Sequence, residues 1–485
     1  MEAHIAAAIA ANRFGLGARP GELERIEPDP RGWLLDQLEG PPPVVADDTL
    51  PSTAEILGDA IEARGGVRQA DGGRPSAASA RRASAARDGA AARRLADILR
   101  DHRSIYAAEV DARTRNAVET ERPFVERLTH FWTNHFAVSV DKATVLGIAG
   151  AFEREAIRPH VLGRFVDLLL AAERHPAMLI YLDNVVSIGP GSPAARLVSA
   201  RRGRELGLNE NLAREILELH TLGVDGPYTQ EDVTRFAEVL TGWSIGGANR
   251  LPARLAQRLG ASEGQPGEFL FRAALHEPGA KRVVGKRYPD DGEGQGEAVL
   301  RDLAAHPSTA RFVATKLARH FIADDPPDAA VERIARTFLE TDGDLPSVYR
   351  ALIDAPEAWQ APLAKYKTPS DYVLSAFRGL DVPASGGRLE AASFELLGQR
   401  TYAPGSPAGW PDRSGDWDGA SALLKRIEWA DALAARIGSR RRATALAPSL
   451  LGGTLTAQTR TAIERAATAE QALTLLLVAP EFMRR

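Results

Sequence analysis

The stretch Phe124-Val125-Glu126-Arg127-Leu128-Thr129-His130-Phe131-Trp132 decides the fold class of this 485-residue chain. Its apolar residues recur at three- and four-residue spacing, so they share one face of a helix and lack the alternation of a half-buried strand. The same period starts at Leu95 and dominates onward. It predicts helices over 145–158, 163–173, 176–182, 210–222, 230–241, 297–304, 308–322, 328–340, 346–353, 368–380, 391–399, 418–437, 457–466 and 469–477. Strand-like alternation is confined to Phe269-Leu270-Phe271 and Arg282-Val283-Val284, which are expected to pair as a ribbon. The expected fold is all-α, a multi-helix globular array with at most a minor β-ribbon.

Toward the N terminus, residues 1–65 read as a region of short helices, broken at Gly15–Pro20 and at Gly40-Pro41-Pro42-Pro43, which no helix crosses. Between 66 and 94 the composition shifts to Ala, Arg, Ser and Gly without one aromatic residue. So little apolar surface is left to offset ordering entropy that a mobile insertion is expected there, with 95–485 as the main helical domain. The Gly- and Pro-rich segments 244–268 and 289–296 read as loops beside a site.

With 44% hydrophobic residues the chain can bury a large core. Its 60 basic and 64 acidic residues leave a net charge of -4, no global field to recruit nucleic acid. Arg81, Arg82, Arg87, Arg93 and Arg94 also lack the interleaved aromatics of a single-strand binder. The absence of cysteine removes disulfides, thiolate nucleophiles and sulfur-bound metal sites. No apolar run approaches the ~20 residues a membrane-spanning helix needs. The start, Met1-Glu2-Ala3-His4-Ile5-Ala6, is acidic where a secretory signal is basic, so a cytoplasmic address is expected, with co-export to the periplasm as the alternative.

Chemistry is densest in Asn209-Glu210-Asn211-Leu212-Ala213-Arg214-Glu215-Ile216-Leu217-Glu218-Leu219-His220. Asn209 suits an N-cap and Gly223 a C-cap, so a helix is expected from Glu210 to Leu222. Leu208, Leu212, Ile216 and Leu219 form its apolar stripe, while Asn211, Arg214, Glu215 and Glu218 share another face at i, i+3, i+4 and i+7. A tight turn at Val224–Pro227 and the capping-box-like Thr229-Gln230-Glu231-Asp232 then start a second helix, making a hairpin. Asn134-His135, Asp183-Asn184, His276 and Lys281 supply further polar groups suited to converging on that face. By composition alone, a solvated face with an Arg214–Glu218 pair is the favoured account of the central run. No His-Glu-x-x-His or Glu-x-x-His occurs, and Gly279–Lys286 has one residue too many for a P-loop.

Taken together, Arg13-Phe14-Gly15-Leu16-Gly17, Phe131-Trp132-Thr133-Asn134-His135-Phe136, Leu182-Asp183-Asn184, the 209–215 run and Leu240-Thr241-Gly242-Trp243 carry a resemblance. It continues through His276, Gly279 and Lys281, Lys316-Leu317, Lys367-Thr368-Pro369, Gly409-Trp410-Pro411 and Pro480-Glu481-Phe482. In these the chain resembles, over nearly its whole length, a bacterial family known as domain of unknown function 1800. The resemblance implies a mostly helical protein, often exported and encoded beside a protein of the alkaline phosphatase and sulfatase type, and so a partner of that kind. His220 stands where the family commonly has Phe, Glu277 where it has Asp, and Thr368 where Ser is frequent.

The resemblance also favours a common polar site. In it Glu215 or Glu218 acts as general base, His135 or His276 as acid or metal ligand, and Arg214 or Lys281 holds an anionic group, with Asn134, Asp183 and Asn211 on the substrate. The expected function is a hydrolase or transferase acting on a carbohydrate or sulfated substrate, with no cofactor named. The alternative is a non-catalytic partner of a sulfatase-like exported protein, in which a hydrogen-bonded network fixes the hairpin.

Overall fold

In the computed structural model, which describes residues 2–65, 77–202, 207–247, 263–361, 363–382 and 388–485, Phe124–Trp132 lies inside the helix Pro123–His135. Proline suits the first turn because its missing N–H would be unpaired there anyway. The Phe124 N–H, left over at that end, donates to Gln37 Oε1 at 2.9 Å. Phe124, Val125, Leu128 and Trp132 are fully buried, so this helix sits at the centre of the core. Trp132 Nε1 donates to the Tyr349 hydroxyl at 2.6 Å, which in turn donates to the Val161 carbonyl at 2.9 Å.

Around it the chain is mostly helical. Helices Glu293–Ala304, Pro307–Phe321, Asp328–Glu340 and Leu345–Asp354 pack in sequence order, each on the next. Pro369–Leu380, Ala420–Ile437 and Ala469–Leu477 follow. The helices Pro193–Arg202 and Ala443–Leu451 were not expected; the second carries Pro448 inside it. The expected 145–158 helix is instead a short helix, Ala149–Phe152, continued by a π-helix, Glu153–Ile157.

Two ribbons replace the single expected one. β1 (Trp243–Ile245) pairs antiparallel with β2 (Phe269–Phe271), and β3 (Lys281–Val283) with β4 (Lys286–Tyr288). Val284 and Gly285, with φ of 46° and 76°, make a two-residue hairpin turn that pairs β3 with its immediate neighbour, so β2 finds its partner upstream.

Residues 9–18 run through the core. Phe14 is fully buried and packs on Phe124, Phe321 and Trp359 with ring centroids 5.7, 5.8 and 5.4 Å away. Backbone carbonyls buried in a turn need donors. Here side chains of two helices supply them: Gly15 O accepts from Arg127 Nε at 2.6 Å, Leu16 O from Ser375 Oγ at 3.0 Å, and Gly17 O from Arg378 Nε at 3.0 Å. Of the expected insertion, 66–76 lies outside the described residues, and from Ala77 the backbone forms the helix Ala77–Glu119. Most of the 244–268 loop, from 248 to 262, also lies outside them. Among the described residues no helix is long and apolar enough to cross a membrane.

Gly17 has φ +96° and a Cβ there would stand 2.7–2.9 Å from Ser375, whereas Gly21 has φ +77° and nothing within 4 Å. Gly17→Ala and Gly21→Ala both carry the left-handed backbone cost of ~1–2 kcal/mol. Only Gly17→Ala must also displace a packed neighbour, so it is expected to lose a further ~1–3 kcal/mol of unfolding free energy, read from urea midpoints. Equal shifts for the two variants would contradict the packing described.

Candidate functional site

Helix Pro307–Phe321 starts at His306, whose side chain accepts from the Ser308 N–H. Val313, Ala314, Leu317 and Phe321 bury its apolar face. Lys316 and His320, four residues apart and so on one side of the helix, line a cleft of about 360 Å³. Arg127, Phe131 and His135 of Pro123–His135 form a second wall. Asp371, in the first turn of Pro369–Leu380, and Trp410 and Asp412, on the loop after Gly409, complete it.

That loop is held from several sides. Gly409 has φ +81°, and a Cβ on it would meet the Asn134 carbonyl oxygen at 2.3 Å. The Asn134 amide clamps Trp410, accepting from its N–H at 2.7 Å and donating to its carbonyl at 2.9 Å. Lys365 Nζ donates to the Asp412 carbonyl at 2.5 Å, and Trp417 Nε1 to that of Pro411 at 2.9 Å. Asp412 is thereby presented to the cleft in a set position.

The His320 Nδ1 lies 3.1 Å from both Asp412 carboxylate oxygens, while its Nε2 is buried without a hydrogen-bond partner. Burial pushes the imidazole down to about 4, outweighing the Asp412 carboxylate. At neutral pH the ring is therefore neutral, with Nδ1–H donated to Asp412 and a lone pair left at Nε2. Burial works against Asp412 as an anion, but His320, Lys365 and Arg485 hold it well below the usual carboxylate range. Asp371, likewise held low against burial, sits between two guanidiniums: Arg127 Nη1 is 3.0 Å from Oδ1 and Arg485 Nε 2.8 Å from Oδ2. Arg485 is fully buried and also reaches Asp412 Oδ1 at 3.2 Å and donates to the His320 carbonyl.

A second buried network borders the cleft and differs in balance. Arg158 donates to Glu126 at 2.6 and 2.8 Å and to Glu153 at 2.7 and 3.0 Å, and Arg113 donates to Glu153 at 2.8 Å. Its two guanidiniums answer two carboxylates. Among the side chains lining the cleft, Lys316 and the arginines outnumber Asp371, Asp412 and Asp416, so positive charge is in excess. Lys316 has no carboxylate within 4 Å among the described residues, only the Phe312 ring 5.5 Å away, and burial pushes it down to about 8.

Of the residues expected from the sequence, Asn134 and His135 line this cleft. His135 Nε2 lies 3.1 Å from the His220 carbonyl, burial holds the ring well below its ordinary value, and Nδ1 has no hydrogen-bond partner. His220 is itself fully buried with Nδ1 2.7 Å from Glu173 Oε1, an imidazole–carboxylate pair inside the core. The expected 210–222 helix changes character midway, since Asn211–Glu215 continues as the π-helix Ile216–Thr221, closed by Leu222 N–H to Leu217 O at 2.9 Å. The wider turn buries Leu217 and His220 and leaves Leu219 half-buried.

The remaining expected residues lie elsewhere. Arg214 pairs with Glu210 at 3.1 Å and Gln230 at 2.8 Å rather than with Glu218, Asn211 is exposed, and burial raises the half-buried Glu215. Asp183 meets Lys142 at 2.7 Å. His276 and Lys281 form a separate group, with His276 Nδ1 2.9 Å from the Thr241 carbonyl, Nε2 3.8 Å from Asp290, and Lys281 Nζ donating to the Glu277 carbonyl. Among the described residues no hydrogen bond or ion pair joins that group, or Glu215, to the cleft, and no three His, Asp or Glu side chains are placed to hold a metal ion. Sequence reasoning missed Arg127, Lys316, His320, Asp371, Asp412 and Arg485. The signals that would have found some of them are the Lys316-x-x-x-His320 spacing and the Gly409-Trp410-Pro411 segment leading into Asp412.

The family described as "Protein of unknown function (DUF1800)" matches residues 9–484. No curated protein and no solved structure matches the chain.

The buried bases give stability a defined pH dependence. With His135 and His320 held low, the unfolded chain takes up protons near pH 6.5 that the folded chain refuses, so stability falls as pH drops through that value toward about 4. Lys316 and Lys367, at about 8 and about 7 when folded, lose protons that the unfolded chain keeps up to 10.5, so stability rises again from pH 7. The melting temperature is expected to increase from about pH 5 to 7 and further to 9, with a smaller alkaline step in Lys316→Gln. A maximum near pH 6 would contradict the assignment.

Proposed function

The chain belongs to the DUF1800 family, and we propose that its cleft is the active site of a hydrolase or transferase acting on a polar, anionic substrate of carbohydrate or sulfated type. One observation carries the reading: a cleft-lining imidazole, neutral at neutral pH, has Nδ1 fixed on Asp412 and Nε2 without a partner. Such a ring takes a proton at Nε2 from a water or substrate hydroxyl and returns it to a leaving group. Asp412 then acts as the positioning residue that sets the tautomer and stabilises the imidazolium formed.

The surroundings agree with that chemistry. Half-buried Trp410 brings to the cleft lining an aromatic ring of the kind a sugar packs against, and Lys316 and Arg127 supply positive charge. A purely structural network explains the Glu126–Arg158 cluster, where every charge is answered, better than it explains a bare nitrogen at the cleft wall. A base near 4 is weak at neutral pH, and an anion bound beside it raises it toward the working range. His135 and Asn134 keep a place in this reading, the first on the cleft wall and the second holding Trp410.

The test is a screen of the full-length protein on chromogenic phosphate, sulfate and glycoside esters, followed by His320→Gln on the substrate found. Turnover is expected to fall ~10²–10⁴-fold with the fold intact. Wild-type turnover in His320→Gln would overturn the assignment.

A further inference from the structure

We infer that the cleft contains a subsite for a tetrahedral oxyanion, the phosphate or sulfate group of its ligand, held by Arg127 and Lys316. The inference rests on the cleft being the active site and names what that site grips.

Arg127 carries a buried donor that has nothing to donate to. Arg127 is 1% exposed, and its Nε is spent on the Gly15 carbonyl at 2.6 Å, which fixes the plane of the guanidinium. Its Nη1 is ion-paired with Asp371 Oδ1 at 3.0 Å, while its Nη2, equally buried, has no hydrogen-bond partner. Buried donors of this kind are rare in folded proteins, and each calls for an acceptor. Lys316, on another helix and without a carboxylate within 4 Å among the described residues, lines the same cleft with a flexible ammonium. A protein that needed these charges only as struts would balance them, as the Arg113–Glu153–Arg158–Glu126 network next to the cleft does.

Geometry decides the class of anion. The donors approach from two helices, one as a planar fork and one as a point charge, and the hydroxyls of Thr368 and Ser370 line the wall beside Asp371. A planar carboxylate satisfies one fork, whereas a tetrahedral oxyanion presents oxygens in several directions and satisfies both cations together. The start of helix Pro369–Leu380 contributes its positive field but not its amides, because Ser370 N–H already donates to Gln399 and Asp371 N–H to Thr368. Phosphate and sulfate share this chemistry, so the measurement has to separate them.

The experiment is titration calorimetry of the full chain with inorganic phosphate, inorganic sulfate and, as the planar control, acetate, at constant ionic strength. The variants are Lys316→Gln, His320→Gln and, as a surface control, Lys425→Gln, whose side chain is exposed. Saturable binding of phosphate or sulfate is expected in the wild type and Lys425→Gln, with acetate weaker and Lys316→Gln weakened ~10-fold or more. The stronger of the two tetrahedral ions identifies the group. No saturable binding of either at ~20 mM, or an unchanged affinity in Lys316→Gln, would overturn the subsite. Because His320→Gln leaves both cations in place, it is expected to keep its anion affinity. A fully active His320→Gln that still binds would defeat the active-site reading alone, and an inactive one in a protein that binds no anion would defeat the subsite alone.

Discussion

Asp371, ion-paired on one side to Arg127 and on the other to Arg485, ties together parts of the chain that are far apart in sequence. Arg127 carries the link to the Gly15 carbonyl and so to the N-terminal turn, and Arg485 carries it to Asp412 and the His320 carbonyl. A carboxylate buried this deeply is tolerable only because both its oxygens face guanidiniums. Removing one partner of such a pair commonly costs ~3–5 kcal/mol, since the other charge is then stranded out of water. The apolar core fixes where the helices lie, and this charged joint fixes how the cleft between them is furnished.

The two buried networks show how the same residue types serve different ends. Glu126, Glu153, Arg113 and Arg158 close on one another and leave little for a ligand to do. Around Asp371 and Asp412 the positive charges outnumber the carboxylates, and the surplus has physical consequences that reinforce each other. It leaves Arg127 Nη2 without an acceptor, adds to the burial that keeps His320 unprotonated, and makes the cleft receptive to an anion. A bound anion would in turn raise the His320 basicity, coupling occupancy of the cleft to its capacity to accept a proton.

Much of the helical array was legible because amphipathic helices announce themselves by period. Asp328–Glu340 and Ala469–Leu477 fall on the residues expected, and most others begin or end within a few positions. The π-helical turns were not legible, because no local pattern marks where one extra residue enters a turn. That is why Leu217 rather than Leu219 reaches the core. Period also says nothing about which polar residues meet across the fold. The chemistry-rich 209–220 run drew attention through its density, yet its Arg214 and Glu210 satisfy each other, while the cleft draws its residues from several segments far apart in sequence. Asn134 and His135 line the cleft, and Asn134 braces the loop that carries Asp412.

Burial first, with Arg485 and Arg127 adding to it, holds His320 neutral with Nε2 bare until an anion arrives. Nitrogen-detected NMR of the histidine side chains, assigned through His320→Gln and titrated with and without saturating phosphate or sulfate, tests it directly. The account predicts a His320 ring protonated only at Nδ1 at neutral pH, titrating well below pH 6.5, with its midpoint moving upward when the anion is added. A ring protonated at Nε2 at neutral pH, or a midpoint indifferent to a bound anion, would contradict it.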